Sequence, residues 1–386
     1  MKIRDYFKPK GAGFSAVQTA REALPGFGGG HWDFDAQRAV YRQLRESVPL
    51  LDAAIGKIVR LTGGFRLTSP DRAAASALSV LQRDIQVGVA GRGLTQFADG
   101  YLDELLAYGT AVAEMVPDES GRLAALYQAN LKDIELKRAD NPLTCEICVR
   151  APGGSVPAPR QELLLLAQHA PEPGALYGTS LLRGLPFVAE TLLKIFRTIG
   201  SNWERAGNLR FAVTYRPSED SLDRAYAKER AEQIAREWGE AMRDAASGRI
   251  RDFVSVGDVD IKVIGAEHQV LDSSVPVRQM LEQMVAKVGL PPFMLGLSWS
   301  TTERMSAEQA DTLTSELEAY RRLLTPVLLK IGRFFLAGER LSAPLSVAWD
   351  TINLQDEVET ARAELMRAQA RKLTGADGVS GIRGQE

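Results

Sequence analysis

The sequence is poor in the side chains that carry out chemistry. Only two cysteines, Cys145 and Cys148, occur in 386 residues. They are too few and too close together to staple a chain of this size, which excludes a disulfide-built secreted scaffold. The three histidines, His31, His169 and His268, lie far apart. With so few imidazoles and no GxSxG turn, a serine nucleophile has no base to activate it. Phosphate loops are missing too. Gly56-Lys57 lacks the upstream glycine and the following hydroxyl residue, and the glycine-rich run from Gly26 to Gly30 follows no strand. No apolar run approaches the length of about 18 residues that would span a membrane. The opening MKIRDYFKPKGAGFS has no apolar core of a signal peptide. These absences predict synthesis in the cytosol and no membrane partner. A surplus of positive charge is also lacking: 47 basic and 49 acidic side chains give a net charge of −2. Proteins that grip duplex DNA through its phosphates show a basic excess. Any contact of this chain with nucleic acid must therefore be local, or loose by design.

What is present is an ordinary globular composition, 45% apolar and 25% charged, in a chain long enough for two or three domains. The first thirty-odd residues, through Gly28–Gly30, read as a flexible arm. Apolar residues then recur at helical spacing from 35 to 61, with Gly63-Gly64 as the stop. Ser69-Pro70-Asp71 opens another helix, and a third runs from about Leu94 to Ala107. Strand-like segments follow at 110–116, 123–128, 134–137, 145–149 and 163–167, with a Gly- and Pro-rich loop over 151–160. The class is α+β, helices first and small sheets after.

The strongest helical stripe lies between Pro186 and Arg205, where Val188, Leu192, Ile195, Phe196, Ile199 and Trp203 share one side. A compact β-α-β-β insert follows over 207–271, with strands expected at 208–215, 252–256 and 260–264 around a charged helix over 218–246. Pro276 then opens a second helix carrying Met280 and Met284. Two such helices should run antiparallel with the insert at their tip. A stalk bearing a small head leaves apolar length uncovered in a monomer, so its missing contacts are expected from copies of itself.

The run VAKVGLPPFMLGLSWSTTER, Val285 to Arg304, ends that helix at Gly289 with two prolines beyond it, stop signals both. After Gly296 comes a small polar loop, Ser298, Trp299, Ser300, Thr301 and Thr302, with Glu303 and Arg304 at its far end. It holds no histidine and no cysteine, and reads as a structural device. A long helix follows from about 306 to 336, which Pro326 should kink or interrupt. A short strand at 347–349 and a charged helix over 356–373 complete the chain.

Cys145-Glu146-Ile147-Cys148 is spaced like a metal or redox motif. Zinc would need two further ligands, which three scattered histidines do not supply. A redox pair opens a helix, whereas this one lies in a strand-like run, where positions three apart face opposite sides. An enzyme using Cys145 and Cys148 is the alternative from another class. No cofactor, metal or catalytic set is expected.

The order of motifs resembles tailed-bacteriophage portal proteins of the HK97-like group. Tyr177-Gly178-Thr179-Ser180-Leu181-Leu182 opens a helix, an insert follows, and a second helix leads into Gly289-Leu290-Pro291-Pro292-Phe293-Met294-Leu295-Gly296. Ser300–Glu303 and a long helix with Leu324-Thr325-Pro326 come after. The resemblance covers about 35 to 350. It implies a portal-like fold with an α/β wing (35–181 and 290–349), stem helices (182–206 and 272–289), a clip (207–271) and a short crown or tail (350–386), after an N-terminal arm (1–34). It implies a non-enzymatic ring, of about twelve subunits in this family, at the capsid vertex of a virion assembled in the host cytoplasm. Double-stranded DNA would pass its channel during packaging and ejection. Ser298 to Arg304 would form the channel loop, and Val188, Leu192, Ile195, Phe196, Ile199, Trp203, Met280 and Met284 the stem interface. Its partners would be the terminase large subunit, a head–tail connector or adaptor, and the major capsid and scaffold proteins. A ring-forming scaffold that never meets DNA is the other alternative.

Overall fold

The computed structural model describes residues 33–141, 144–207, 210–217, 221–246, 258–264, 272–297 and 303–352. The expected arm through residue 32, the strand at 252–256, the loop 298–302 and the helix at 356–373 lie outside the described residues. The chain divides into two units, Met1–Ala189 with Leu281–Glu386, and Glu190–Met280.

In the first unit the single helix expected over 35–61 is two, α1 (Phe34–Ser47) and α2 (Pro49–Thr62). Pro49 has no N–H to return to α1, so the first helix ends at Val48 and the proline starts the second. β1 (Phe65–Thr68) leads to α3 (Arg72–Asp84), whose N-terminus is capped by the Asp71 carboxylate accepting from the Ala74 N–H at 2.7 Å. α4 (Leu94–Tyr108) ends at Gly109 in the left-handed conformation. α2, α3 and α4 pack together with the C-terminal α9 (Glu303–Gly338). Leu51, Ile55, Ile58, Leu78, Leu105 and Leu317 are among the fully buried side chains there. Burying each such side chain contributes about 1.5–3 kcal/mol.

Against α4 lies a five-stranded sheet of order β3-β2-β5-β4-β9, built from β2 (Gln86–Val87), β3 (Gly91–Arg92), β4 (Thr110–Pro117), β5 (Leu123–Gln128) and β9 (Leu164–Gln168). β4 lies between β5 and β9 and is buried on both faces over Thr110 to Ala113. The Tyr101 hydroxyl donates to the Ala111 carbonyl at 2.9 Å and ties α4 down. A second sheet, β6 (Ile134–Arg138), β7 (Cys145–Ala151) and β8 (Gly154–Pro157), shares an apolar cluster of Val112, Leu131, Ile134, Leu136 and Ile147. β8 falls where a loop was expected. Its glycine and proline belong to a hairpin that turns at Pro152-Gly153 and pairs Ala151 with Gly154.

The third sheet is small: β1 pairs antiparallel with β12 (Ser346–Trp349). The open edge of β1 is filled by a side chain. Gln82 Oε1 accepts from the Leu67 N–H and Gln82 Nε2 donates to the Phe65 carbonyl. α9 continues through Pro326 as one helix, so of the kink or interruption expected there the interruption does not occur. The ring removes one backbone hydrogen bond, and packing supplies the rest. Leu324, Val327 and Leu328 are buried around it. Arg321, only 3% exposed, donates from Nε to the Thr62 carbonyl at 2.8 Å and from Nη1 to Glu318 at 2.9 Å. Its guanidinium lies 5.1 Å from the centre of the Trp349 ring, and Trp349 Nε1 donates to the Thr325 hydroxyl at 3.1 Å. One cation thereby fastens α2, α9 and β12.

In the second unit β10 (Arg210–Arg216) pairs antiparallel with β11 (Asp258–Ile264), and α7 (Ala227–Ala246) packs on β10. The helix expected as one piece is α6 (Ser221–Ala225) and α7, parted at Tyr226. The unit boundaries fall inside α5 (Leu185–Gly207) and α8 (Ser274–Val288).

Candidate functional site

The motif that opens α5 is a weld between three backbones. Gly109 and Gly178 approach so closely that a Cβ on Gly178 would lie 2.0 Å from the Gly109 carbonyl oxygen, and one on Gly109 would lie 2.5 Å from the Gly178 backbone. Only glycine fits at either place. Around them the His169 N–H donates to the Gly109 carbonyl, the Thr179 N–H to the His169 carbonyl and the Leu181 N–H to the Leu106 carbonyl. The Ser180 hydroxyl donates to the Ala107 carbonyl at 2.6 Å and accepts from the Leu182 N–H at 2.9 Å. Tyr177 accepts from the Leu136 N–H at 2.9 Å and stacks on Phe34 at 4.0 Å. The end of α4, the end of β9 and the start of α5 are thus fixed to one another.

The second motif shapes the chain between α8 and α9. Gly289 ends α8 at φ +77°, and its N–H reaches the Val285 carbonyl. Pro292–Leu295 makes one 3₁₀ turn, closed by Gly296 at φ +76°, with the Leu297 N–H donating to the Pro292 carbonyl. Ser298, Trp299, Ser300, Thr301 and Thr302 lie outside the described residues, and Glu303 and Arg304 open α9.

On α5 the expected stripe divides along its length. Leu192 is buried, Val188, Ile195 and Ile199 are half-buried, and Phe196 and Trp203 are 47% and 73% exposed. On α8, Met284 is fully buried within the chain and Met280 half-buried. Leu192 and Met284 therefore present no surface. Of the expected interface residues, Phe196 and Trp203 are the exposed ones, and Phe187 on α5 and Val275 on α8 are exposed as well.

Cys145 and Cys148 point to opposite faces of β7, as two positions three apart in a strand must. Burial pushes both thiols up, away from the reactive thiolate. Among the described residues no group of three or more His, Cys, Asp or Glu is placed to hold a metal ion. His169 gives its Nδ1 to the Thr179 carbonyl at 2.7 Å and lies against Tyr320. No helix among them is long and apolar enough to cross a membrane. Sequence reasoning missed Arg321, whose partners Thr62 and Trp349 are 259 and 28 residues away, and Glu104, half-buried against Gln128.

No family model matches the sequence, and no curated protein sequence matches it significantly. Solved structures do. A chain from the virion of the native gene transfer agent (GTA) particle superposes with a TM-score of 0.60 at 16% identity, covering 90% of this chain and 91% of its own. One from the neck of the native GTA particle, computed with C12 symmetry, gives 0.57 at 16% identity, covering 88% and 91%. An HK97 family phage portal protein from Corynebacterium diphtheriae gives 0.43 at 14% identity, covering 78% and 92%. The solved structures that share the fold over most of the chain thus come from a gene transfer agent particle. The fold shared with the GTA chains is one found in a particle neck.

Proposed function

We propose that this chain is the protomer of a portal ring of HK97 type, through whose channel double-stranded DNA passes during packaging and ejection. The reading is carried by one observation: a fold shared over 88% of the chain with a protein of a neck computed with C12 symmetry. The apolar end of the α5 stripe supports it. A Trp at 73% exposure and a Phe at 47% on one helix are surfaces that a head-to-tail neighbour would cover. In this reading 35–181 and 290–349 are the wing, 182–206 and 272–289 the stem, 207–271 the clip and 350–386 the crown. Ser298 to Arg304 face the channel. A near-neutral chain suits DNA that must slide, because each neutralised phosphate adds affinity through counterion release. The terminase large subunit and the head–tail connector dock on the clip, and the major capsid and scaffold proteins surround the ring. ATP-driven translocation belongs to the terminase, so the ring needs no catalytic group. It is assembled in the host cytoplasm and resides at the portal vertex of the virion.

Electron microscopy of the purified protein tests this. Rings with a central hole are expected. A lone protomer at every concentration and salt tried, with capsids that fill normally in its absence, would overturn the reading.

A further inference from the structure

α1, α4 and the β5 end of the larger sheet border an open polar cleft of about 430 Å³, lined by Arg38, Arg42, Glu104, Tyr108, Gln128 and Asn130, with Ala129 between the last two. That volume is within the range of small-molecule sites. Two guanidinium groups line it, and one of them is incompletely satisfied. Arg38 Nε is buried and makes no hydrogen bond, and Asp35 Oδ1 stands 3.8 Å from it. The other oxygen of Asp35 is engaged by Arg150. Asp35 Oδ1 is buried and lacks a hydrogen bond as well, so the two form a loose ion pair that leaves Arg38 short of its full set of hydrogen bonds. Glu104 Oε2 accepts from Gln128 Nε2 at 2.8 Å, and the same amide donates to the Gly100 carbonyl at 3.0 Å. The neighbouring Asp103 is held by Arg45 at 2.7 and 3.0 Å.

We infer that this cleft binds a small oxyanion, a sulfate, phosphate or carboxylate, between Arg38 and Arg42, and admits it when Glu104 is neutral. A guanidinium fork matches oxyanion geometry and is always charged. Glu104 is the gate. Burial pushes its carboxyl up to about 7, with Asp103 adding to the rise and Gln128 and Arg38 opposing it. The groups facing it are Arg38 from α1, Asp103, Tyr101 and Tyr108 from α4, and Gln128 from β5. Arg42 stands at the mouth, paired along α1 with Glu46. Once ionised, Glu104 repels an anion and competes for Arg38, so binding weakens as pH rises.

The inference does not depend on ring formation and is tested on the full chain in any oligomeric state. Sulfate, whose charge is constant from pH 6 to 8, is titrated against chloride at equal ionic strength by calorimetry. Apparent affinity should fall about tenfold between those pH values, the ratio of neutral fractions for a group titrating near 7. E104Q keeps an acceptor for the Gln128 amide and should bind sulfate equally at both. R38Q should lose sulfate binding while its circular dichroism stays native. If R38Q fails to fold, the comparison of wild type with E104Q supplies the test. Sulfate acting no differently from chloride on the wild type at pH 6 would overturn the inference. So would unchanged affinity in folded R38Q, or the same pH dependence in E104Q as in wild type.

Discussion

At the scale of single residues, backbone contact matters more here than reactive side chains. Gly178 and Gly109 leave no room for a methyl group, and the obstacle is backbone rather than a movable side chain. Gly178→Ala is therefore expected to cost more than about 3 kcal/mol, near the extreme for a point substitution. A thermal melt of the purified variant measures it, and a shift of only a degree or two would contradict the close approach. Glu104 makes a second prediction, about pH. Its folded carboxyl holds a proton up to about 7, against an ordinary value of 4.5. The native state thus binds the extra proton between those values, and stability falls as pH rises through that window. Urea midpoints should decline from pH 5 to pH 8, and less steeply in Glu104→Gln.

At the scale of elements, much was legible. The long amphipathic periods of α4 and α5 and the bounds of β5 are written locally, because one buried face imposes a repeat. The remainder depended on distant neighbours. Pro49 starts a helix instead of extending one, β8 is built from turn-like residues, and α9 tolerates Pro326 because its surroundings are packed. The candidate site divides in the same way. The motif Tyr177 to Leu182 stands out in the sequence, but its welding role needs Gly109, His169 and Leu106 beside it. The Arg38 and Glu104 cleft draws on α1, α4 and β5 and leaves no local pattern. For α5, Trp203→Asp tests the stem reading. An exposed position should change stability by no more than about 0.5 kcal/mol. Ring assembly, followed by sedimentation, should be lost, and rings persisting in a soluble variant would count against the assignment.

At the scale of the whole molecule, the proposed function is mechanical. Its parts are a rigid weld at Gly109 and Gly178, helices with apolar ends uncovered, and a polar connection ahead of α9. Shortening 298–302 should spare assembly, because the weld at Gly109 and Gly178 does not include it. DNA content per particle, measured in packaging reactions, should drop. Unaltered packaging would remove the loop from the mechanism.

Gln82 carries a consequence for self-association. With its amide seated on the Phe65 carbonyl and the Leu67 N–H, two backbone groups on the outer margin of β1 are already taken and offer a passing chain less to zip onto. A crowded array of identical subunits is where stray strand exchange would be most frequent. In such a setting a single glutamine makes a sticky border less so, and leaves recognition between copies to surfaces shaped for it.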